Sequence, residues 1–284
     1  MNDEPIFSVP FDASPVGLAP ADGADAVGSP KKTARRAPRV TNRVEDRPAF
    51  LLHSYPYRET SLILDVFTRS HGRVALVAKG AKRPHSALRS VLVSFQRLNL
   101  SWSGAGDIKT LIRAEWSGAP LRLQGSSAMS AWYLNELLLR LLTRDDPHEA
   151  LYDAYVDAIS RLAEQPRLSA GLREFEWILL REIGYAFDPS MTAAGEPIDP
   201  DQQYRLPLEA GPSRIHDAME DNWASRSAMA VSGRVLQALT EHRFDDALVE
   251  PELRRLLRER LDYHMSGRPL TTRQVLRDLQ DYLP

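Results

Sequence analysis

The sequence predicts an α+β multidomain protein: a small N-terminal β-barrel followed by an all-α helical domain, with a disordered tail ahead of both. Three observations carry this reading. Five short runs rich in Val, Ile, Leu and aromatic residues crowd residues 47–118. From residue 126 onward the apolar spacing changes to the three-and-four rhythm of helices. Residues 1–46 are dominated by Pro, Gly, Ala, Ser and Asp and have no apolar periodicity, so ordering them would bury too little surface to offset the entropy lost. The expected domains are therefore a tail at 1–46, a barrel at 47–118 and a helical body at 119–284.

In the barrel, strands are expected at 49–57, 61–68, 73–79, 94–102 and 108–116. Ser70-His71-Gly72 separates the second from the third tightly, and Ser103-Gly104-Ala105-Gly106-Asp107 joins the last two; both are glycine-containing hairpin loops. Between the third and fourth strands, residues 85–93 place Ala87, Leu88, Val91 and Leu92 at helical spacing. Five strands with one helix between the third and fourth is the order of an OB-fold, a partly open barrel whose sheet face and loops hold oligonucleotides. An SH3-like barrel is the structural alternative and has no use for that helix.

The first helix of the body is expected at 128–143, with Ser126 or Ser127 as N-cap and apolar side chains nearly all round, which marks it as buried. Pro147 opens a second, to about residue 164, and a third runs over 169–183 until Gly184 stops it. Residues 184–222, holding Pro189, Pro197, Pro200, Pro207 and Pro212, read as an irregular excursion. Helices at about 227–240, 251–265 and 272–282 follow. In the middle one Leu253, Leu256, Leu257 and Leu261 face inward, while Arg254, Arg255, Arg258 and Glu259 mostly face water.

A formal net charge of −2 hides a strong segregation of sign. Residues 1–30 carry five acids and no base, residues 31–43 six bases and no acid. Between Val66 and Arg113 nine basic residues face one acid, Asp107. Residues 117–284 are net acidic. Blockwise charge of this kind suits a polyanion-facing module joined to an acidic body. The basic end of the tail, Lys31 to Arg39, reads equally as a nucleic-acid arm or a solvated segment.

Few sites for catalysis are present. The chain has no cysteine, which removes disulfides, thiolate nucleophiles and thiolate metal ligands. It lacks a GxxxxGK[ST] loop, and its seven histidines show no HxH or HxxxH pairing. Asp145-Asp146 and Asp245-Asp246 flank helix ends, and Asp199-Pro200-Asp201 lacks a third ligand. The expectation is no enzyme, no cofactor and no metal. The richest apolar stretch, at 137–142, is broken by Arg140, and the start of the chain lacks a basic and apolar leader, so a cytoplasmic, membrane-free protein is expected.

The chemistry instead lies in the barrel's cations. Residues two apart on a strand share a face, which lines up Arg73 with Lys79, and Lys109 with Arg113. Arg97 sits on the fourth strand, and Lys82, Arg83 and Arg89 crown the loop and helix between. Cations of this kind track a phosphate backbone, and rings such as Tyr55, Tyr57, Phe67, Phe95 and Trp102 are candidate stacking platforms for bases. With few base-edge readers nearby, binding is expected to be largely indifferent to sequence. An RNA-binding or ribosome-associated adaptor is the alternative use of the same barrel.

At residues 50–68, FLLHSYPYRETSLILDVFT, the chain resembles the bacterial recombination mediator family RecO. The likeness continues through Gly72-Arg73-Val74, Leu76 to Ala81, Tyr133 to Leu138, Arg173-Glu174-Phe175-Glu176, Gly184-Tyr185, Gly195-Glu196-Pro197 and Gly267-Arg268-Pro269-Leu270, spanning about 47–282. The resemblance implies an OB-fold before a helical domain, binding of single- and double-stranded DNA, strand annealing, and partnership with RecR. It implies help to RecA in displacing single-strand-binding protein, hence a role at the nucleoid. It also implies that the helical domain engages the acidic, hydrophobic-ended tail of single-strand-binding protein, for which Arg122, Arg140, Arg144 and Arg173 are candidate rim residues. Several members carry a four-cysteine zinc module in the helical domain; here that region is cysteine-free, and no zinc is expected.

Overall fold

A computed structural model describes residues 42–164, 169–215 and 228–275. Of the tail expected to be disordered over 1–46, residues 1–41 with the basic run Lys31 to Arg39 lie outside the described residues, as does the last expected helix beyond residue 275, whereas residues 43–46 belong to a strand.

Five strands close into a barrel: β1 (Arg43–Tyr57), β2 (Ser61–Thr68), β3 (Gly72–Ala78), β4 (Arg97–Ser103) and β5 (Ile108–Trp116). The order around the ring is β1-β2-β3-β5-β4, with β1 also pairing β4 antiparallel and β3 meeting β5 in parallel. The strand alternation read from sequence is what fills it. Ala49 and Leu51 of β1, Leu64 and Val66 of β2, and Val74, Leu76 and Ala78 of β3 all point into the barrel core with Leu98, Leu100 and Trp102. The first strand begins at Arg43 rather than residue 49, because Asp46, at φ 47°, forms a bulge that lets Arg43 and Val44 continue pairing with β4. The inserted helix is shorter than expected: α1 (Leu88–Val91) is a single turn whose Leu88 and Val91, with Leu92, plug one end of the barrel.

The body consists of α2 (Ser126–Leu141), α3 (Glu149–Glu164), α4 (Ser169–Glu182), α5 (Gly233–Thr240) and α6 (Glu250–His264), with residues 271–275 also helical. Ser126 and Ser127 are not caps: Gly125 holds the N-cap of α2, and Ser127 Oγ instead exchanges hydrogen bonds with the backbone N–H and carbonyl of Gln124. The excursion is not irregular throughout. It contains β6 (Gln203–Leu206) and β7 (Ser213–Arg214), which join β8 (Met229–Ser232) in a sheet of order β7-β6-β8, so the helix expected at about 227–240 gives way to a strand over residues 229–232. Tyr204, Leu206 and Val231 carry this sheet into the helical core.

Barrel and helices share that core. The odd side of β1 fills the barrel, while Phe50 and Leu52 on the even side, with Phe67 of β2, pack onto α3. Phe50 meets Tyr155 edge-on at 5.0 Å and Phe67 lies 5.5 Å from Tyr152. Asn135 of α2 donates to the Leu52 carbonyl and accepts from the buried Tyr155 hydroxyl, at 2.9 and 2.6 Å. At the β2–β3 turn Gly72, at φ 61°, lies so close to the α2–α3 loop that a Cβ would stand 1.8 Å from the Asp146 carbonyl oxygen. Gly72→Ala must therefore displace that loop and hold alanine in the left-handed region, at a cost of about 1–3 kcal/mol or more. Chemical denaturation should show it as a fall in midpoint; a variant as stable as the parent contradicts this packing.

Candidate nucleic-acid interface and an arginine-lined groove

The structure divides the expected barrel cations into two groups by what each one touches. Arg73 does not face outward as a phosphate contact. Its Nε pairs with Asp65 at 3.0 Å, and Nη1 donates to the carbonyls of Leu139 and Leu142 at the end of α2. Asp65 is 1% exposed and is also approached by Arg144 at 3.6 Å. A cation at a helix C-terminus, paired with a buried carboxylate, is a structural fastener. Lys109 is held likewise: its Nζ lies 2.6 Å from Asp145 and its side chain is only 15% exposed. The parallel β3–β5 pairing sets Lys109 beside Leu76, and the Asp145 amide donates to the Arg73 carbonyl on the same strand, so the loop brings its acid to the lysine.

Arg113 is exposed but meets Glu115 at 2.8 Å and Asp46 at 3.8 Å. Arg97 reaches the other way, donating to Ser160 Oγ of α3 at 3.1 Å. The register of β5 explains why Lys109 and Arg113 do not form one cationic face. A bulge opposite Ser101 and Trp102 turns Leu111 inward, leaves Ile108 and Ile112 exposed, and breaks the simple alternation.

Lys79, Lys82, Arg83 and Arg89 form the second group. All four are exposed, and among the described residues none has an ion-pair or side-chain hydrogen-bond partner. They cluster at one end of the barrel for a local reason. Gly80 turns the chain at φ 71°, Ala81 is 1% exposed and plugs the barrel, and the Lys82 amide donates to the Thr60 carbonyl of the β1–β2 hairpin. The anchored alanine sits between them, and Lys79, Lys82 and Arg83 are all exposed, with the Arg83 guanidinium lying beside Gly80. The same contact brings in Arg58, which lies over the Tyr57 ring at 5.1 Å and was not anticipated. Glu59 is the acid of this hairpin. Of the expected stacking rings, Phe67, Phe95 and Trp102 are buried in the cores. Tyr55 and Tyr57 are partly exposed, and Tyr57 borders the cationic end.

A second feature lies on the helical body: a groove of about 430 Å³ between α2, α4, α6 and the turn at 271–275. Met129, Tyr133 and Leu172 form apolar lining, and Arg173, Arg254, Arg255, Arg258 and Arg273 surround it. Arg254 is exposed with no partner among the described residues, whereas Arg258 and Arg273 share Asp262 and Arg255 donates to the Ala230 carbonyl. Of the four arginines expected at a partner site only Arg173 lines this groove. Arg140 is fastened to Glu136 and to the carbonyls of Arg268 and Pro269, Arg144 turns to Asp65, and Arg122 is exposed on the loop before α2. The missed residues left a signal: Arg254, Arg255 and Arg258 occupy one helical face at spacing 1 and 3.

Beneath the groove Tyr133 Oη donates to Glu176 at 2.6 Å, and Arg173 Nη2 pairs with the same carboxylate oxygen at 2.8 Å. Burial pushes the Tyr133 hydroxyl well above the usual phenol range and raises the Glu176 carboxyl. Among the described residues no three His, Asp or Glu side chains are grouped to hold a metal ion. Where the resemblance would put a zinc module, Thr192 closes a turn by hydrogen bonds to Glu196 and Gly195, and Asp199 is tied to the Tyr204 hydroxyl. Among the described residues no helix is long and apolar enough to cross a membrane.

The division of cations has a stability signature. Asp65→Ala strands the Arg73 charge at the barrel–helix contact and should cost about 3–5 kcal/mol. Lys79→Ala should stay within about 0.5 kcal/mol of the parent. Equal destabilisation in urea unfolding contradicts the division.

Comparison with known proteins fits this two-part architecture. A family model described as recombination protein O N terminal matches residues 44–119, and one described as recombination protein O C terminal matches residues 122–274. A DNA repair protein RecO from Ralstonia nicotianae is 48% identical over 244 residues, 86% of this chain and 88% of its own. One from Burkholderia pseudomallei is 44% identical over 272 residues, covering 95% and 97%, and one from Aromatoleum aromaticum 45% identical over 240 residues, covering 84% and 98%. A solved asparaginyl-tRNA synthetase from Entamoeba histolytica overlaps at a TM-score of 0.21 and 12% identity over 60% of this chain and 39% of its own, too slight a likeness to bear on fold or function. Matched from the first barrel strand to the last described helical turn, the chain belongs to the recombination protein O family.

Proposed function

We propose that this chain serves DNA repair and recombination as a non-enzymatic mediator, binding single- and double-stranded DNA at the loop end of an OB-fold barrel. The observation that carries the reading is the cluster of cations without a partner among the described residues, Lys79, Lys82, Arg83 and Arg89, with Arg58 and the Tyr57 ring beside it. Flexible cations at a barrel's end can follow a phosphate backbone, and an exposed ring offers a face to any base, so the binding has no strong sequence preference. Annealing then needs no nucleotide hydrolysis: two backbones held on cationic surface repel each other less, and base pairing supplies the free energy. Cooperation with RecR and assistance to RecA on DNA coated by single-strand-binding protein rest on the family relationship, as does action at the nucleoid in the cytoplasm.

The groove on the helical body supplies the partner half of the reading. Carboxylates of an acidic tail would meet Arg254, Arg255 and Arg258, and its hydrophobic end would lie on Met129 and Leu172, which fits the tail of single-strand-binding protein.

Reversing charge at Lys79, Lys82, Arg83 and Arg89 together should weaken single-stranded DNA binding by at least about a hundredfold and leave unfolding unchanged. Replacing Arg97 and Arg113 by alanine should change affinity by less than about threefold, since each already has a protein partner. If about five cations contact phosphates, the log–log salt slope should be near −3.5, from roughly 0.7 per contact. Unchanged affinity in the four-residue variant, measured by fluorescence anisotropy, overturns the assigned interface.

A further inference from the structure

Resting on the reading of the groove as an acidic-peptide site, a second question is how Arg173 can serve a ligand when a carboxylate of the protein already holds it. Arg173 lines the groove, yet its side chain is 9% exposed and its Nη2 lies 2.8 Å from Glu176 Oε1. That oxygen also accepts the Tyr133 hydroxyl at 2.6 Å. The pair is incompletely satisfied: Arg173 Nε and Glu176 Oε2 are both buried without a hydrogen-bond partner among the described residues. A buried guanidinium with a spare donor, beside a buried carboxylate with a spare acceptor, is an ion pair with capacity left over.

We propose that Glu176 is a built-in competitor for Arg173, and that an acidic peptide end entering the groove takes over this arginine while Glu176 takes up a proton from solvent. A ligand carboxylate that draws Arg173 away leaves Glu176 with Arg273 as its remaining guanidinium, and of the two carboxylates the one with less access to water is the one that gives way. Glu176 is that one, at 1% exposure. The groups facing it are Arg173 on its own helix, Tyr133 from α2, Arg273 from the turn at 271–275 and Glu250 at the start of α6. Burial already raises its carboxyl above the ordinary range, and Glu250 adds to the rise, while Arg173, Arg273 and the Tyr133 hydroxyl oppose it. Drawing Arg173 toward a ligand weakens the largest opposing influence. The sign follows: the bound state holds Glu176 protonated more readily than the free state, so affinity rises as pH falls. The bond balance is simple, since one Arg173–Glu176 ion pair is exchanged for one Arg173–ligand ion pair and one O–H bond on Glu176.

The test uses the full chain and a synthetic acidic peptide ending in a free-carboxylate phenylalanine, titrated by calorimetry between about pH 6 and pH 8. Wild-type protein should bind more tightly at the lower pH, and titrations in buffers of different ionisation enthalpy should record proton uptake. Glu176→Gln keeps an acceptor for the Tyr133 hydroxyl and removes the charge, so it should bind about three- to tenfold more tightly at pH 8, with a flat pH profile, a tenfold change being one pKa unit. Weaker binding by Glu176→Gln would show that Glu176 orients Arg173 and would overturn the proposal. Wild-type binding without proton uptake would overturn it as well, and needs no variant to fold. Arg254→Glu separates the two readings: loss of peptide binding supports the groove as the site whatever Glu176 does, whereas unaffected binding moves the peptide elsewhere and removes both.

Discussion

Phe50 and Phe67 leave the barrel wall and enter the helical core, where Tyr152 and Tyr155 receive them, and the remaining contacts between the two parts depend on this ring cluster. Burying four aromatic side chains contributes several kcal/mol by area alone, which a flexible linker could not match. Once the rings fix the barrel against α3, the end of α2 falls beside β3, where Arg73 bonds to its last carbonyls and Asp65 neutralises the charge. Gly72 allows the α2–α3 loop to close over the turn, and the loop then delivers Asp145 to Lys109. The cationic end of the barrel and the arginine-lined groove of the helices are thereby held in one frame.

That frame decides which charges are available. The excess of basic residues along 66–113 is a property of composition, but a nucleic acid meets only cations that the fold leaves unpaired. Arg73 and Lys109 are spent on the barrel–helix contact, and Arg97 is turned to α3. Arg69 pairs with Glu149 and Asp153, and Arg113 with Glu115, whereas Lys79, Lys82, Arg83 and Arg89 gather at the loop end, where a buried Ala81 and a hydrogen bond to Thr60 pin the chain. The acidic character of residues 117–284 is likewise local: the groove on the helical body is bordered by arginines although the segment as a whole is net negative.

The barrel was legible because Val74, Leu76 and Ala78 alternate with Arg73, Ala75 and Val77, and alternation is a local signal. The spacing of Leu253, Leu256, Leu257 and Leu261 gave α6 in the same way. The small sheet escaped notice because Gln203–Leu206 and Met229–Ser232 are four residues each and pair across a long separation, below what periodicity resolves. The candidate site was half legible. The Arg113–Glu115 pairing is visible at a spacing of two on a strand, but Asp145 reaches Lys109 from another domain and only the fold reveals it. The bulge in β5 and the left-handed Asp46 are backbone events without a residue-type signature, and they reassign faces that alternation had set.

The central claim, that the fold leaves a small group of cations at one barrel end free for nucleic acid and fastens the others internally, is tested most directly by amine acetylation footprinting of the barrel lysines, read by mass spectrometry with and without single-stranded DNA. Lys79 and Lys82 should react readily in the free protein and become protected by DNA, while Lys109, held by Asp145, should react slowly in both states. Lys79 and Lys82 reacting equally with and without DNA, or Lys109 alone becoming protected, would contradict the account.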